Sequence, residues 1–313
     1  MIKRTLYFGN PAYLSVRNEQ LIIRLPEVEN SEALPEKFKK EAAATIPIED
    51  IGIIIIDHQQ VTCTQSVFEK LLGNNAAVMV CDASHHPAGL LMPLSGNTLQ
   101  SERFTDQINA SVPLKKQLWQ QTIQSKITNQ AAVLHNRCKI NIKNMLHWAD
   151  SVTSGDTKNH EARASAYYWH NLFPEVEGFT RERDGTYPNN LLNYGYAILR
   201  AVTARALVSS GLLPTLGIHH HNRYNAYCLA DDIMEPYRPI VDTTVSEIMK
   251  LYPGVTELNK EIKQELLKIP VLDMVINGQK SPLMVGISQT TSSLQKCFEG
   301  SLRKIIYPVI PIA

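Results

Sequence analysis

The sequence predicts an α+β protein in which a β-rich N-terminal domain, residues 1–97, precedes a helical C-terminal domain, residues 98–313. Three observations predict this fold class. A chain of 313 residues has the length of about two domains. Short β-type runs dominate the first hundred residues, and after residue 97 apolar residues recur at three- and four-residue spacing. The change of period places the domain boundary near residues 95–105.

The first hundred residues predict strands and one helix. Residues 13–17 and 20–25 flank Asn18 and Glu19 and predict a hairpin, although the turn lacks the glycine that tight turns favour. The isoleucine-rich run 51–56 predicts a buried strand. Residues 64–72 predict a helix, because their apolar positions have helical spacing and a glycine follows. Further strands are predicted at residues 5–8, 76–81 and 89–94.

The remainder of the chain predicts helices. Apolar residues recur with the helical period in five segments, and a sixth segment near the end has helical character. These predicted helices span residues 106–135, 156–172, 189–210, 229–251, 258–267 and 288–306. The prediction for the second domain is therefore all-α.

Composition excludes several classes of protein. Apolar residues make up 44% of the chain and charged residues 19%, which excludes a disordered protein. No apolar run approaches the ~18 residues of a membrane span. The five cysteines are scattered without a CxxC pair, which favours reduced thiols over a disulfide framework or a zinc ribbon. We therefore expect a soluble cytoplasmic protein.

The net charge of +1 averages over two unlike parts of the chain. Residues 107–149 contain six basic residues and no acidic residue, so the rest of the chain carries a charge of −5. A basic segment of this kind indicates a surface that faces a polyanion such as nucleic acid. The alternative is a solvated helix face that acids elsewhere in the fold balance.

A histidine-rich segment and two acids form the first candidate site. Three adjacent histidines, residues 219–221, cannot all face one metal ion, because successive side chains diverge. Asp232 and Glu235 are three residues apart on a predicted helix and therefore share a face. Two carboxylates with an imidazole suit Mg²⁺ or Mn²⁺. Alternatively, the acids simply complement the dipole at the start of a helix.

A second candidate is Glu161, which begins a predicted helix in the segment HEARASAYYW. A lone glutamate at a helix start is more often a surface acid that the helix dipole favours. The aromatic residues Tyr167, Tyr168 and Trp169 could stack on splayed bases, but consecutive aromatics on a helix are more often core residues. Gly195, in the segment LNYGYAIL, predicts close packing against a neighbouring helix.

These segments, in this order, resemble the Cas1 family of CRISPR-associated adaptation endonucleases and integrases. The resemblance rests on HEARASAYYW, LNYGYAIL, and GLLPTLGIHHHN followed by LADDIMEPYRP. The opening IKRTLYFGNPAYLSVRNEQL and the run IPIEDIGIIIID also resemble the N-terminal domain of that family. The resemblance spans essentially the whole chain and is greatest to the branch that accompanies single-protein, RNA-guided effectors, the type II systems.

The resemblance implies a fold, partners and an activity. It implies a β-sandwich-like N-terminal dimerisation domain and an all-α catalytic domain that binds metal and DNA. Homodimers would be joined by a small Cas2 dimer into a heterohexamer, with the RNA-guided effector nuclease as a further partner. The implied activity is capture of foreign DNA fragments and their insertion as spacers at a CRISPR repeat, by attack of a 3′-hydroxyl on a phosphodiester.

The resemblance also implies the site residues. The metal-binding glutamate falls on Glu161, the histidine on His220, three residues after Gly217, and the acidic pair on Asp232 and Glu235. Glu161, His220 and Asp232 would bind the Mg²⁺ or Mn²⁺ ion directly, and Glu235 would bind it directly, through water or not at all. The chain departs from the family in having Leu213 where many members have Asp, and Glu235 where other branches have Asp. His219 or His221 remains an alternative to His220.

The basic residues are the predicted DNA contacts. They are Lys115, Lys116, Lys126, Arg137, Lys139, Lys143, Arg163 and Arg238. For Arg163 and Arg238, pairing with the site carboxylates is the alternative. Such contacts give an affinity that falls steeply with salt and carries little sequence information. Three alternatives to an integrase remain: a metal-dependent nuclease for branched or single-stranded DNA, a non-catalytic DNA-binding scaffold, and a metallohydrolase for a small substrate.

Overall fold

The computed structural model describes residues 2–312, except 32, 33, 36, 38, 40, 41, 84, 86, 183 and 184. The chain divides into two compact units, Met1–Gly96 and Asn97–Ala313. The N-terminal unit contains two four-stranded sheets, and the C-terminal unit is mostly helical. The predicted α+β class is therefore confirmed. No helix in the described part of the chain is long and apolar enough to cross a membrane.

The first sheet of the N-terminal unit is mostly parallel. Its strand order is β1-β5-β7-β8, with β8 antiparallel to β7. These strands are β1 (Arg4–Phe8), β5 (Ile51–Ile56), β7 (Ala77–Cys81) and β8 (Pro87–Leu91). The central strand β5 is almost completely buried, which explains its continuous run of isoleucines.

The second sheet has the order β4-β3-β2-β6. Its strands are β2 (Ala12–Arg17), β3 (Gln20–Arg24), β4 (Ala44–Pro47) and β6 (Val61–Cys63). The predicted hairpin joins β2 and β3, and both turn residues, Asn18 and Glu19, have positive φ, as a tight hairpin turn requires. Side chains of both sheets share one core with helix α2 (Gln65–Gly73). A short helix, α1, spans Pro26–Glu29.

Nine helices are described in the C-terminal unit. They are α3 (Gln100–Asn109), α4 (Val112–Cys138), α5 (Lys143–Ser151), α6 (His160–Leu172), α7 (Asn189–Ser209), α8 (Cys228–Met234), α9 (Arg238–Leu251), α10 (Lys260–Leu266) and α11 (Leu283–Glu299). Helix α4, with 27 residues, runs through the unit and is buried along most of its length. The unit is thus built around one long helix.

Two predicted helices are interrupted, in both cases next to a proline. The helix predicted at 106–135 is divided between α3 and α4, because Ser111 caps α4 by accepting the N–H of Leu114 and Pro113 lies in its first turn. The helix predicted at 229–251 is divided by a 3₁₀ turn, Glu235–Tyr237, which contains Pro236. This second break places Glu235 at a corner between α8 and α9.

The prediction of an all-α C-terminal domain is wrong in one detail. Three short antiparallel strands, β9 (Asp273–Ile276), β10 (Gln279–Pro282) and β11 (Pro308–Val309), form a small sheet in the order β10-β9-β11. Asn277 and Gly278 both have positive φ and make the hairpin turn, a dipeptide that strongly favours hairpins. The last helix, α11, therefore spans 283–299 rather than 288–306 and ends at Gly300, which has positive φ.

Candidate metal centre

The long helix α4 contributes two side chains to the candidate site. Trp119 and Lys126 are seven residues apart, which is two helical turns, so they lie on the same face of α4. Both side chains are buried, with 1% of Trp119 and 8% of Lys126 exposed. A buried lysine needs partners of opposite charge, because an unpaired buried ammonium is costly. The partners of Lys126 are two of the predicted metal ligands.

Glu161 is positioned by a cap at the start of α6. The carboxylate of Asp156 accepts the backbone N–H groups of His160, at 3.0 Å, and of Glu161, at 2.9 Å. This cap fixes the first turn of the helix and complements its dipole. The Glu161 side chain is partly exposed, and its Oε1 accepts a hydrogen bond of 2.6 Å from Nζ of Lys126.

Glu235 lies at the corner between α8 and α9 and is buried between two cations. Its Oε2 is 2.8 Å from Nζ of Lys126, and its Oε1 is 3.1 Å from the guanidinium of Arg238. Burial alone would raise the pKa of Glu235, but the charges of Arg238 and Lys126 outweigh burial and hold the pKa below its ordinary value. Glu235 is therefore held as a carboxylate.

Lys126 is likewise held in its charged form. Burial would lower the pKa of Lys126, but the carboxylates of Glu235 and Glu161 outweigh that effect and raise the pKa above its ordinary value. One ammonium thus joins the two carboxylates, which come from the start of α6 and the corner after α8. Both carboxylates therefore contact the same ammonium group, that of Lys126.

His220 is paired with Asp232, which is completely buried on α8. Nδ1 of His220 lies 2.5 Å from Oδ1 of Asp232, and this hydrogen bond raises the pKa of His220. The Asp232 carboxylate also accepts the backbone N–H groups of His219, at 2.9 Å, and of His220, at 3.3 Å. Because Nδ1 is engaged, Nε2 is the nitrogen that His220 can offer to a ligand.

Gly217 lets the histidine loop close around Asp232. A Cβ at this position would lie 2.3 Å from the backbone oxygen of His220 and 2.8 Å from Oδ2 of Asp232. Both distances are far below an ordinary contact. Only a glycine fits here, which explains why a glycine stands three residues before His220.

The three adjacent histidines have different surroundings. The His219 ring stacks on the indole of Trp119, with centroids 4.1 Å apart and an angle of 2° between the rings. Partial burial lowers the pKa of His219, whereas the hydrogen bond with Asp232 raises the pKa of His220. All three histidines are nevertheless exposed at the surface. His220, with its ring edge-on to Trp119, is the histidine whose Nδ1 is held by Asp232.

The four predicted ligands form two groups of contacts: Lys126 joins Glu161 to Glu235, and Asp232 holds His220. The pKa of His220 is raised mainly by its hydrogen bond with Asp232, and the charges of Asp232, Glu235 and Glu161 add to that effect. In the described part of the chain, no group of three or more His, Cys, Asp or Glu side chains already stands in metal-binding geometry. The chemistry of the donor set nevertheless fits a hard divalent ion, because two carboxylates meet at a cation, the ammonium of Lys126, and His220 can offer Nε2.

The basic residues predicted to bind DNA fall into two groups. Five of them are available to a polyanion. Four are exposed, namely Lys116, Lys139, Lys143 and Arg163, and Lys115 is partly exposed. The other three contact the protein itself: Lys126 and Arg238 pair with the site carboxylates, and Arg137 bonds Glu175 and the backbone oxygen of Leu172. For these three, the basic character serves the fold and the site.

The aromatic residues of α6 are also divided. Tyr168 is completely buried and donates a hydrogen bond of 2.8 Å to Asp242, so it is a core residue. Trp169 packs against Phe173 and Phe179. Tyr167 lies edge-on to Trp148, at 5.8 Å between ring centroids, and both are partly exposed.

Sequence reasoning missed the central role of Lys126 and the stacking role of Trp119. A signal for Lys126 was present, because it lies between Ile123 and Ile127 on the buried face of α4. A lysine at such a position indicates a buried ion pair. The expected close packing at Gly195 is found: a Cβ there would lie 2.6 Å from Cγ1 of Val241.

The fold is that of a two-part α+β protein, and its helical part contains two carboxylates joined by Lys126 and a histidine held by Asp232. Residues 6–252 match the family described as CRISPR associated protein Cas1. A CRISPR-associated endonuclease Cas1 from Neisseria meningitidis serogroup C (strain 8013) is 36% identical over 296 residues, which cover 94% of this chain and 92% of the relative. The chain belongs to the Cas1 family.

Solved structures share the fold. A casposase bound to integration product superposes with a TM-score of 0.76 at 20% identity, over 97% of this chain and 92% of the other. A Cas1 protein from Thermotoga maritima has a TM-score of 0.72 at 15% identity, over 95% of this chain and 97% of that one. A Cas6-RT-Cas1–Cas2 complex matches with a TM-score of 0.72 at 20% identity, over 96% of this chain and 35% of that chain.

Proposed function

We propose that this protein is a metal-dependent DNA endonuclease and integrase of CRISPR adaptation, in the type II branch, which inserts foreign DNA fragments into the CRISPR array. The observation that carries the proposal is the convergence of Glu161 and Glu235 on one cation, beside a histidine held by Asp232. Membership of the Cas1 family supports the choice of DNA as the substrate.

Known relatives support the activity and the partners. The Neisseria meningitidis relative is named a CRISPR-associated endonuclease, and the structural neighbour with the integration product is a casposase. A further neighbour is a complex that contains Cas1 and Cas2. We accordingly infer a homodimer, formed through the N-terminal domain, that assembles with Cas2 into a heterohexamer. The RNA-guided effector nuclease is inferred as a further partner.

The site residues have separate parts in the proposed reaction. Carboxylate oxygens of Glu161 and Glu235 and Nε2 of His220 would hold Mg²⁺ or Mn²⁺. Asp232, predicted as a further ligand, would instead keep the imidazole aimed, because its carboxylate already contacts Nδ1 of His220 and two backbone N–H groups. When bound, such an ion lowers the pKa of the attacking hydroxyl and neutralises charge that develops on the phosphoryl oxygens. Arg238 would hold Glu235 at its corner through their 3.1 Å ion pair.

The reaction exchanges one phosphodiester for another. The 3′-hydroxyl of the fragment forms a new P–O bond at a phosphate of the repeat, and the bond from that phosphate to a 3′-oxygen of the repeat breaks. The attacking hydroxyl releases one proton and the leaving 3′-oxygen takes up one proton, so the reaction consumes and produces no net proton. No nucleotide fuel is needed, because the number of ester bonds is unchanged. The exposed lysines and Arg163 would hold the DNA backbone.

A strand-transfer assay tests the proposal. Labelled short duplex DNA with 3′-hydroxyl ends is mixed with a supercoiled plasmid bearing a CRISPR repeat, Mn²⁺ or Mg²⁺, and the cognate Cas2 protein. We expect the wild type to join label to plasmid and His220→Ala to lose at least 100-fold of that activity. His221→Ala, which removes an exposed neighbouring histidine, is the matched control and should remain active.

Two other outcomes would contradict the proposal. Degradation without joining, in the presence of partner protein and repeat, would favour a nuclease that acts on branched or single-stranded DNA. Equal behaviour of the wild type and His220→Ala would place the metal elsewhere. In that second case a non-catalytic role for the histidine would be the better explanation.

A further inference from the structure

The four charged groups at the centre of the site already balance one another. Glu161 and Glu235 are negative, and Lys126 and Arg238 are positive. Three ion pairs of 2.6, 2.8 and 3.1 Å join the four groups. Lys126 and Glu235 are buried, and Glu161 and Arg238 are partly exposed. The cluster is therefore electrically neutral as it stands, and a divalent cation would add a charge of +2 to it.

Glu235 has no carboxylate oxygen that is free of a cation. Oε2 faces Lys126 and Oε1 faces Arg238. A metal ion that binds Glu235 directly would stand within a few ångströms of these positive groups. At such distances, in a largely buried site, repulsion between cations is strong. Withdrawal of one of the two positive groups would relieve this repulsion when the metal binds.

Lys126 is the group that can withdraw. Arg238 follows Glu235 by three residues at the same corner, and its guanidinium lies over the ring of Tyr196, 4.9 Å from the centroid. Lys126 reaches the carboxylates from another helix on a flexible four-carbon stem. Its contact with Glu161 is open to solvent in part, since 26% of the Glu161 side chain is exposed.

We propose that the Lys126 ammonium is a resident cation in the metal position, and that a divalent ion binds Glu161 and Glu235 by displacing it. This inference rests on the proposed function, because it takes the two glutamates as metal ligands. Lys126 thus holds the two carboxylates together in the metal-free protein and at the same time weakens the metal affinity. It is a positioning residue for the ligands and a competitor of the metal.

Metal binding in the absence of DNA tests this role. Free Mn²⁺ is measured by electron paramagnetic resonance during titration of the metal-free protein, so the readout is independent of catalysis. We expect Lys126→Met, which keeps the length of the side chain and removes its charge, to bind Mn²⁺ at least tenfold more tightly than the wild type. Lys116→Met, an exposed lysine on the same helix, is the control and should bind Mn²⁺ as the wild type does.

Glu235→Gln and Glu161→Gln separate failure of this inference from failure of the proposed function. If neither variant weakens Mn²⁺ binding, the proposed metal site is wrong. If both variants weaken binding but Lys126→Met binds Mn²⁺ equally or less tightly than the wild type, only the displacement by metal is wrong. Weaker binding by Lys126→Met would mean that the lysine supports the metal site rather than competing for it.

A measurement on the wild type covers the case in which Lys126→Met does not fold. The protein is treated with an amine-acetylating reagent with and without saturating Mg²⁺, and the acetylation of each lysine is followed by mass spectrometry. We expect Mg²⁺ to increase the acetylation rate of Lys126 at least fivefold, because the displaced ammonium loses its protection by the two carboxylates. The rate at Lys116 should stay constant. Equal protection of Lys126 in both conditions would overturn the proposal.

Discussion

Nδ1 of His220 lies 2.5 Å from Oδ1 of Asp232, whose carboxylate is fully buried and also accepts two backbone N–H groups of the histidine loop. This arrangement assigns Asp232 the task of aiming the imidazole. Carboxylates that fix the second nitrogen of a ligating histidine are common around metal ions. The two acids on either side of the break after α8 therefore differ: Asp232 orients His220, and Glu235 faces the cation.

The first prediction concerns Asp232→Asn. The amide cannot accept both loop N–H groups and the imidazole in the same way, so His220 should lose its fixed orientation. We expect the Mn²⁺ affinity to fall about 10–100-fold. The free energy of unfolding should fall by about 1–3 kcal/mol, because buried donors lose their acceptor. Titration with Mn²⁺ and chemical denaturation measure the two effects. An unchanged Mn²⁺ affinity would contradict the orienting role.

The second prediction concerns Gly217→Ala. The new methyl group would meet the backbone oxygen of His220 at 2.3 Å, so the loop must move away from Asp232. We expect a loss of about 1–3 kcal/mol in unfolding free energy and at least tenfold weaker Mn²⁺ binding. Gly73→Ala is a matched control, because a Cβ at Gly73 meets nothing within 4 Å. The prediction is wrong if both variants behave alike.

The third prediction is a pH dependence of stability that arises at Asp242. Burial raises the pKa of Asp242 from 3.8 to about 7, against the opposing hydrogen bonds from Tyr196 and Tyr168. The folded state therefore holds a proton that the unfolded state has released between about pH 4 and pH 7. The contribution of this group to stability is complete below about pH 4 and is lost as the pH rises to about 7.

Thermal and chemical unfolding of Asp242→Asn would measure this contribution. We expect the wild type to lose about 1 kcal/mol for each pH unit in that window relative to the variant, which has no proton to release. Asp150→Asn, on the exposed face of α5, should follow the wild-type profile. Parallel profiles for the wild type and Asp242→Asn would exclude Asp242 as the source.

The fourth prediction separates the basic residues that bind DNA from those that support the fold. Lys116→Met with Lys143→Met should lower DNA affinity and reduce the slope of log affinity against log salt by about two, because each lysine neutralises about one phosphate. Arg137→Met should lower stability instead, since Arg137 contacts Glu175 and the backbone oxygen of Leu172. Fluorescence anisotropy of labelled DNA at several salt concentrations gives the slopes. Equal slopes for all variants would contradict this division.

Local sequence signals predicted most of the fold. The hairpin at Asn18 and Glu19 and the strand 51–56 follow from local alternation and apolar character, and both are found. The two helix breaks were missed, although their signals are local: Pro113 and Pro236 stand where helices begin and end. The sheet of the C-terminal unit was missed because its strands are short and lie between strongly helical segments, although the dipeptide Asn277-Gly278 signals a hairpin.

The candidate site was predictable only in part. The motifs that resemble the Cas1 family allowed four site residues to be selected, namely Glu161, His220, Asp232 and Glu235. The contacts of Lys126 could not be predicted, because Lys126 is 35 residues from Glu161 and further still from Glu235 along the chain. Pairing over such separations depends on how three helical segments pack. The same holds for the stacking of His219 on Trp119.

Anomalous diffraction from crystals of the full-length protein soaked in Mn²⁺ tests the central claim most directly. The account predicts one anomalous peak within bonding distance of a Glu161 oxygen, a Glu235 oxygen and Nε2 of His220. Asp232 should remain on Nδ1 of His220, and the Lys126 ammonium should have moved away from the two carboxylates. A peak at other residues, or a saturated crystal in which Lys126 still bridges Glu161 and Glu235 with no metal between them, would contradict the account.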